Sequence, residues 1–203
     1  MDNHLYEFEA RRAGYFLVAG VDEAGRGPLA GPVVAATVIL PEGIALDGVT
    51  DSKKMSERAR KEAFSLIKKG AIDISLAVVS PREIDRINIL QATRKAMKQA
   101  VLTLDPQPDY LLIDGIYPID LPIYQRCIIK GDELSLSISA ASVLAKVYRD
   151  RIMSSYHILY PQYGFSSNKG YGTPDHREAI MKHGPCCIHR LTFRGVLNDK
   201  RKD

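Results

Sequence analysis

Read from the N-terminus, the chain first turns continuously apolar over residues 15–21 (YFLVAGV), and the run stops at Asp22-Glu23. A short apolar run with β-branched and aromatic residues predicts a buried strand. A glycine-rich turn leads to residues 33–40 (VVAATVIL), a second strand, and so short a link predicts an antiparallel pair. Residues 72–79 alternate and are β-branched, which predicts a third strand. Residues 110–113 (YLLI), ending in Asp114-Gly115, and residues 124–129, followed by Lys130-Gly131-Asp132, predict two more. Helical spacing marks residues 56–68, with Ser56 as N-cap and Gly70 after the end. Ser80-Pro81-Arg82-Glu83 is a capping box that opens a long helix to about Leu104, with Ile84, Ile87, Leu90, Thr93, Met97 and Val101 near one face. Ala141, Leu144, Tyr148, Ile152 and Leu159 predict a helix over residues 137–159, and Thr173-Pro174 opens a short last helix that ends at Gly184. Three leading strands form a meander, and two later ones reach the sheet through crossovers. The fold class is therefore α/β, a mixed five-stranded sheet flanked by helices, with the later strands parallel to the first.

Composition narrows the class. With 203 residues, 45% of them hydrophobic, the chain suits one domain, and no repeat or linker divides it. Its length allows burial of roughly 70% of the unfolded surface, so no disulfide or metal staple is required. Of three cysteines, Cys186 and Cys187 are adjacent and Cys127 stands alone, which reads as reduced thiols in a cytosol. The N-terminus has no basic region followed by an apolar one, and no apolar run is long enough to span a bilayer. A soluble cytoplasmic protein, with no membrane partner and acting as a monomer, is the expectation.

The net charge of +4 is small but unevenly spread. Residues 101–145 carry two basic against six acidic side chains, a net of −4, and residues 146–202 carry eleven against four, a net of +7. Solvated surface explains such clustering in most chains. The sharper reading is a metal-binding carboxylate centre beside a phosphate-binding surface.

Two predicted strands end in acids, Asp22 and Asp114. If they are parallel neighbours, both carboxylates leave the sheet at the edge where α/β proteins place ligands. Glu23 adjoins Asp22, and Asp132 follows the last strand in a similar way. Converging acids need a counter-charge, which hard divalent cations with oxygen ligands supply. Strand-end aspartates that merely cap turns remain the alternative. The loop Gly25-Arg26-Gly27-Pro28-Leu29-Ala30-Gly31 is not a dinucleotide fingerprint, because a strand follows it where that motif needs a helix. It is either a tight turn or a place where backbone approaches a ligand closely.

The run from Asp22 to Val33 (DEAGRGPLAGPV) resembles the signature of ribonuclease HII. Asp51-Ser52-Lys53-Lys54, Leu112-Ile113-Asp114-Gly115 and Lys130-Gly131-Asp132 resemble further blocks of that family. So do Ser139-Ala140-Ala141-Ser142, Ala145-Lys146-Val147-Tyr148-Arg149-Asp150, Lys169-Gly170-Tyr171-Gly172-Thr173, His176 and His189-Arg190, all in the family's order. The resemblance implies a ribonuclease H-like fold with a core of about residues 15–160 and a helical, substrate-binding C-terminal extension of about residues 161–203. It implies cleavage of RNA in RNA–DNA hybrids and incision of duplex DNA 5′ to an embedded ribonucleotide, leaving 3′-hydroxyl and 5′-phosphate ends. Asp22, Glu23, Asp114 and Asp132 fall on the catalytic carboxylates, which hold two Mg²⁺ or Mn²⁺ ions. Gly25, Arg26 and Gly27 fall on the loop that senses the 2′-hydroxyl, and Tyr171 on the tyrosine that packs against the sugar on the DNA side.

Ser142, Lys146 and Arg149 are read as phosphate contacts on one helix face, away from Leu144 and Tyr148, with Lys53, Lys54, Lys169 and Arg190 as further candidates. His183, Cys186, Cys187 and His189 do not have zinc spacing, and His176 and His183 read as helix-surface or helix-end residues. Residues 197–203 carry no clamp-binding motif, and the stretch before Asp22 leaves no room for the extra N-terminal domain of ribonuclease HIII. A resolvase-like nuclease that cuts DNA alone, or a non-catalytic nucleic-acid module, are the competing readings. The four acids argue against the second.

Overall fold

The computed structural model describes residues 4–46, 48, 49, 52 and 55–197. The elements run α1 (Leu5–Arg12), β1 (Val18–Ala24), β2 (Val33–Ile39), α2 (Glu57–Gly70), β3 (Asp73–Val79) and α3 (Pro81–Leu102). Then come β4 (Tyr110–Asp114), β5 (Tyr124–Ile128), α4 (Gly131–Leu134), α5 (Leu136–Leu159), a 3₁₀ turn, α6 (Phe165–Asn168) and α7 (Pro174–His183). The five strands form one sheet in the order β3-β2-β1-β4-β5. β2 is antiparallel to β1 and β3, whereas β4 is parallel to β1 and to β5. This is the mixed sheet that the sequence predicts.

The period-two pattern sorts side chains onto two covered faces. Ala19, Val21, Val33, Ala35, Leu111 and Ile113 pack with α3 on one side. Ala36 and Val38 pack with α2 and α5 on the other. β2 is buried along its whole length for that reason. The predicted caps form: Ser56, Ser80 and Thr173 accept from the amides of Ala59, Glu83 and His176.

Three local expectations change. The first strand starts at Val18, because the carboxylate of Asp109 takes the amides of Phe16 (2.8 Å) and Leu17 (3.0 Å). The long helix is kinked at Asn88 (φ 66°, ψ 166°), whose Oδ1 accepts from the Gln91 amide at 3.1 Å and so caps a second helical segment. The N-terminal helix α1 was not predicted, since no apolar stripe marks it. Glu7 anchors it: buried Oε1 accepts from Ser135 Oγ, Ser137 Oγ and the Ser137 amide, at the start of α5.

The C-terminal segment builds a third apolar cluster, in which Tyr163, Phe165, Ala179, Ile180 and Ile188 pack on Leu29, Ala30 and Met153. It turns the later part of α5 differently from the prediction. Arg149 and Met153 face inward, while Tyr148 and Leu159 are exposed. Arg149 donates to the carbonyls of Pro32, Lys169 and Ala30, each at 3.0 Å. Arg190 donates to the carbonyls of Gly31 (2.9 Å), Arg26 (2.9 Å) and Gly25 (2.6 Å). Neither is a phosphate ligand, as the charge pattern suggested: both guanidiniums are spent on main-chain oxygens inside the protein. Their planar fork of donors suits this task. Among the described residues no helix is long and apolar enough to cross a membrane.

Two stability predictions follow from this packing. A Cβ at Gly20 would lie 2.1 Å from the Ser137 main chain, because α5 rests directly on β1 there. Gly20→Ala therefore destabilises by at least the upper end of the about 1–3 kcal/mol range for overpacking, read by urea denaturation. Arg190→Met nearly keeps the volume and strands three carbonyls, those of Gly25 and Gly31 in buried contacts, so it costs about 2–4 kcal/mol in the same measurement.

Candidate active site

Parallel pairing of Val18 with Tyr110 through Val21 with Ile113 carries Asp22 and Asp114 to the same edge of the sheet. Asp22 points to the α5 side and Glu23, one residue on, to the other side, as strand alternation requires. Asp22, Glu23 and Asp114 line one cleft of about 230 Å³ together with Gly25, Arg26, Gly27, Ser52, Ser142, Lys146 and Tyr171. A second depression of about 280 Å³ shares Glu23, Arg26 and Asp114 and continues over Arg94, Met97, Ile116, Tyr117 and Lys130.

Asp22 is buried, with Oδ1 accepting from the Glu23 amide at 2.7 Å. Burial, and then the charges of Glu23 and Asp114, push its carboxyl well above the usual range, against the pull of a Ser142 hydrogen bond. Ser142 is itself buried and bonded to Ser52 Oγ at 2.9 Å. It therefore serves as a support for the carboxylate at the cleft floor. Asp114 Oδ1 accepts from the Gly131 amide at 2.7 Å, which ties β4 to the first turn of α4. Asp132 sits in that turn and is buried, and it is not one of the residues that line the cleft.

The glycine loop lies on the other wall. Gly25 has φ 98°, where only glycine is relaxed, and a Cβ there would lie 2.1 Å from Arg149 Nε. The carbonyls of Gly25 and Arg26 are drawn back onto Arg190, and Arg26 Nη1 reaches Glu23 Oε1 at 3.4 Å. Tyr171 lies over Gly27, with 46% of its surface exposed. Lys146 pairs with Asp150 at 2.7 Å on the cleft margin. Lys169 is turned away, donating to Ser154 Oγ at 3.1 Å in a separate groove with Arg60, Lys61 and Arg151. Lys53, with Lys54, lies outside the described residues. Ser52, Arg94 and Lys130 were not singled out beforehand. Ser52 and Lys130 had a signal, their places in the Asp51–Lys54 and Lys130–Asp132 blocks, and Arg94 had none.

The donor set at this edge is all oxygen and mutually repelling, which fits a hard divalent cation rather than a soft one. Among the described residues no three His, Cys, Asp or Glu side chains are drawn together as the ligands of one ion would be. The carboxylates instead rest on amides and hydroxyls, as the contacts of Asp22 and Asp114 show.

Comparison with known proteins shows the family. The family profile described as Ribonuclease HII matches residues 19–196. Ribonuclease HII of Geotalea uraniireducens is 59% identical over 201 residues, 98% of this chain and 93% of that protein. Ribonuclease HII of Geobacter sulfurreducens is 57% identical over 194 residues, 95% of this chain and 89% of that one. Among solved structures, ribonuclease H2 of Pyrococcus horikoshii superposes with a TM-score of 0.75 at 28% identity, covering 88% of this chain and 94% of that one. Ribonuclease HII of Archaeoglobus fulgidus, solved in complex with PCNA, gives 0.72 at 27%, covering 91% and 97%. A sheet edge bearing Asp22, Glu23 and Asp114, a family match that spans most of the chain, and relatives matched over most of their own length lead to one conclusion: the chain is a hydrolase that belongs to the ribonuclease HII family.

Proposed function

We propose that the protein, as a cytoplasmic monomer, hydrolyses the RNA strand of RNA–DNA hybrids and nicks duplex DNA on the 5′ side of a single embedded ribonucleotide. Water adds to phosphorus, the P–O3′ bond breaks, and the ends are a 3′-hydroxyl and a 5′-phosphate. One observation carries this reading: Asp22, Glu23 and Asp114 share a cleft with Gly25, Arg26, Gly27 and Tyr171. Asp22, Glu23, Asp114 and Asp132 would hold two divalent ions, Mg²⁺ or Mn²⁺. Bound there, such ions activate water, offset phosphate charge and stabilise the leaving 3′-oxygen.

The chain's own residues bind and orient. Only the 2′-hydroxyl, in the minor groove, distinguishes a ribonucleotide. The loop at Gly25–Gly27 offers main chain with little side-chain bulk, and its carbonyls are held back by Arg190. Tyr171 presents a flat ring to the neighbouring deoxyribose. Ser142 keeps Asp22 in place, Lys146 takes a phosphate at the cleft, Lys169 takes one farther along the strand, from its separate groove, and Lys53 takes another, all without reading bases. The core of about residues 15–160 and the extension of about residues 161–203 work as one domain, since Tyr171 comes from the second and the acids from the first.

With a labelled duplex carrying one ribonucleotide, we expect a single nick 5′ to it in Mg²⁺ or Mn²⁺ and no cutting in EDTA. Equal cutting of an all-DNA duplex overturns the ribonucleotide reading. Asp22→Asn and Asp114→Asn should each lower kcat by more than about 100-fold, beyond what loss of a supporting partner does.

The metal-free protein offers a second check. Asp22 is harder to ionise when folded, so its ionisation lowers stability as pH rises above the ordinary carboxylate range. Asp22→Asn should therefore be more stable than the parent in EDTA at pH 7, as a higher melting temperature shows. Adding Mn²⁺ should raise the melting temperature of the parent more than that of the variant. A variant less stable than the parent in EDTA removes the electrostatic account of this site.

A further inference from the structure

Tyr171 has little to hold its side chain. It is half exposed, rests on a glycine, and lies between Gly170 and Gly172. Its position must therefore come from its main chain. The Tyr171 amide donates to the Asn168 carbonyl at 2.9 Å, and its own carbonyl accepts from the Thr173 amide at 2.8 Å. The same carbonyl is joined to His176 Nδ1 at 2.7 Å.

His176 is fully buried, not on the helix surface as expected, and it does not stand alone. Its Nε2 lies 3.1 Å from Nε2 of His189, also buried. His189 Nδ1 lies 3.0 Å from the Cys186 amide nitrogen and 3.2 Å from Cys186 Sγ. The two ends determine every proton. A carbonyl only accepts, so His176 Nδ1 carries hydrogen, and its Nε2 is bare in the neutral ring. A backbone amide only donates, so His189 Nδ1 is bare and its Nε2 carries hydrogen. The central contact is then a normal N–H···N bond. Both ends require the same direction, from the Cys186 amide through His189 and His176 to the Tyr171 carbonyl.

The surroundings keep both rings neutral. Phe165 and Tyr163 wall the pair, with Phe165 5.3 Å from the His176 ring and Tyr163 4.9 Å from the His189 ring. Burial and then the charge of His176 push His189 down to about 4, and burial chiefly, with Arg177, lowers His176. A proton added to His176 would set two N–H groups facing each other across 3.1 Å, and one added to His189 would set its Nδ1–H against the Cys186 amide across 3.0 Å.

We infer that His189 and His176 are positioning residues for Tyr171, a one-way hydrogen-bond chain that fixes the tyrosine over the cleft from the C-terminal segment. The inference rests on the reading of Tyr171 as the residue that packs against the sugar.

The test measures KM and kcat on the single-ribonucleotide duplex. Glutamine at 176 can still meet His189 but has no donor where Nδ1 stood, whereas asparagine restores that donor. H176Q should raise KM about fivefold, the loss of one hydrogen bond, with kcat little changed, and H176N should restore KM. Y171A should raise KM, and H176Q added to Y171A should raise it no further. An equal KM for H176Q and H176N, or a full effect of H176Q in the Y171A background, overturns the inference. A raised KM in Y171A with none in H176Q overturns the inference alone. An unchanged KM in Y171A overturns the reading of Tyr171 and the inference with it. Should H176Q fail to fold, ring-nitrogen NMR of the parent protein decides. Neutral His176 protonated on Nδ1 and neutral His189 protonated on Nε2 support the chain, and the opposite tautomers end it.

Discussion

A carboxylate buried beside two others is the constraint around which this molecule is arranged. Asp22 loses hydration and faces Glu23 and Asp114, and each effect opposes its charge. Several distant parts of the chain act to hold it there. Parallel pairing of β1 with β4 brings Asp114 to the same edge. Gly20 lets α5 lie directly on β1, and that close approach sets Ser142 where it can bond Asp22. Ser52 braces Ser142, and the Gly131 amide braces Asp114. Carboxylates held this way repel one another, and a hard divalent cation is the counter-charge that such an all-oxygen site suits.

The opposite wall is governed by positive charge used internally. Arg149 and Arg190 put their guanidiniums into the protein and spend them on six carbonyls, five of them in residues 25–32. Hydrogen bonds to a charged donor are stronger than neutral ones, so the glycine loop is stiff despite its composition. The same loop also pairs with the C-terminal segment, through Leu29 with Gly170 and Gly31 with Ile188. The basic surplus of residues 146–202 is therefore not all a solvated surface. Part of it is structural, and it links the extension to the loop that the extension helps to shape.

Much of the fold was legible because it depends on neighbours in sequence. Capping residues, the period of apolar positions and the length of connections predicted the five strands, their directions and most helices. Asn88 was legible in principle, since asparagine is a capping residue, but the apolar stripe continues across it and hides the kink. The α1 helix was not legible. Its anchor is Glu7 at the start of α5, and a buried glutamate is unremarkable until its partners are known.

The site divides along the same line. Acids at the ends of two predicted strands, and a glycine loop between the first strand and the second, could be placed from the sequence alone, because apolar runs and the residues that end them are local features. Tertiary structure alone decided which charges face the cleft. Lys146 and Arg149 are three residues apart on one helix, yet one lines the cleft and the other is buried on carbonyls. The histidines behave likewise: spacing shows neither that His176 and His189 meet nor which way their protons point. Periodicity says which residues share a face. Only the packing of distant segments says whether that face meets water, a ligand or another part of the chain, because desolvation depends on everything nearby and not on sequence neighbours.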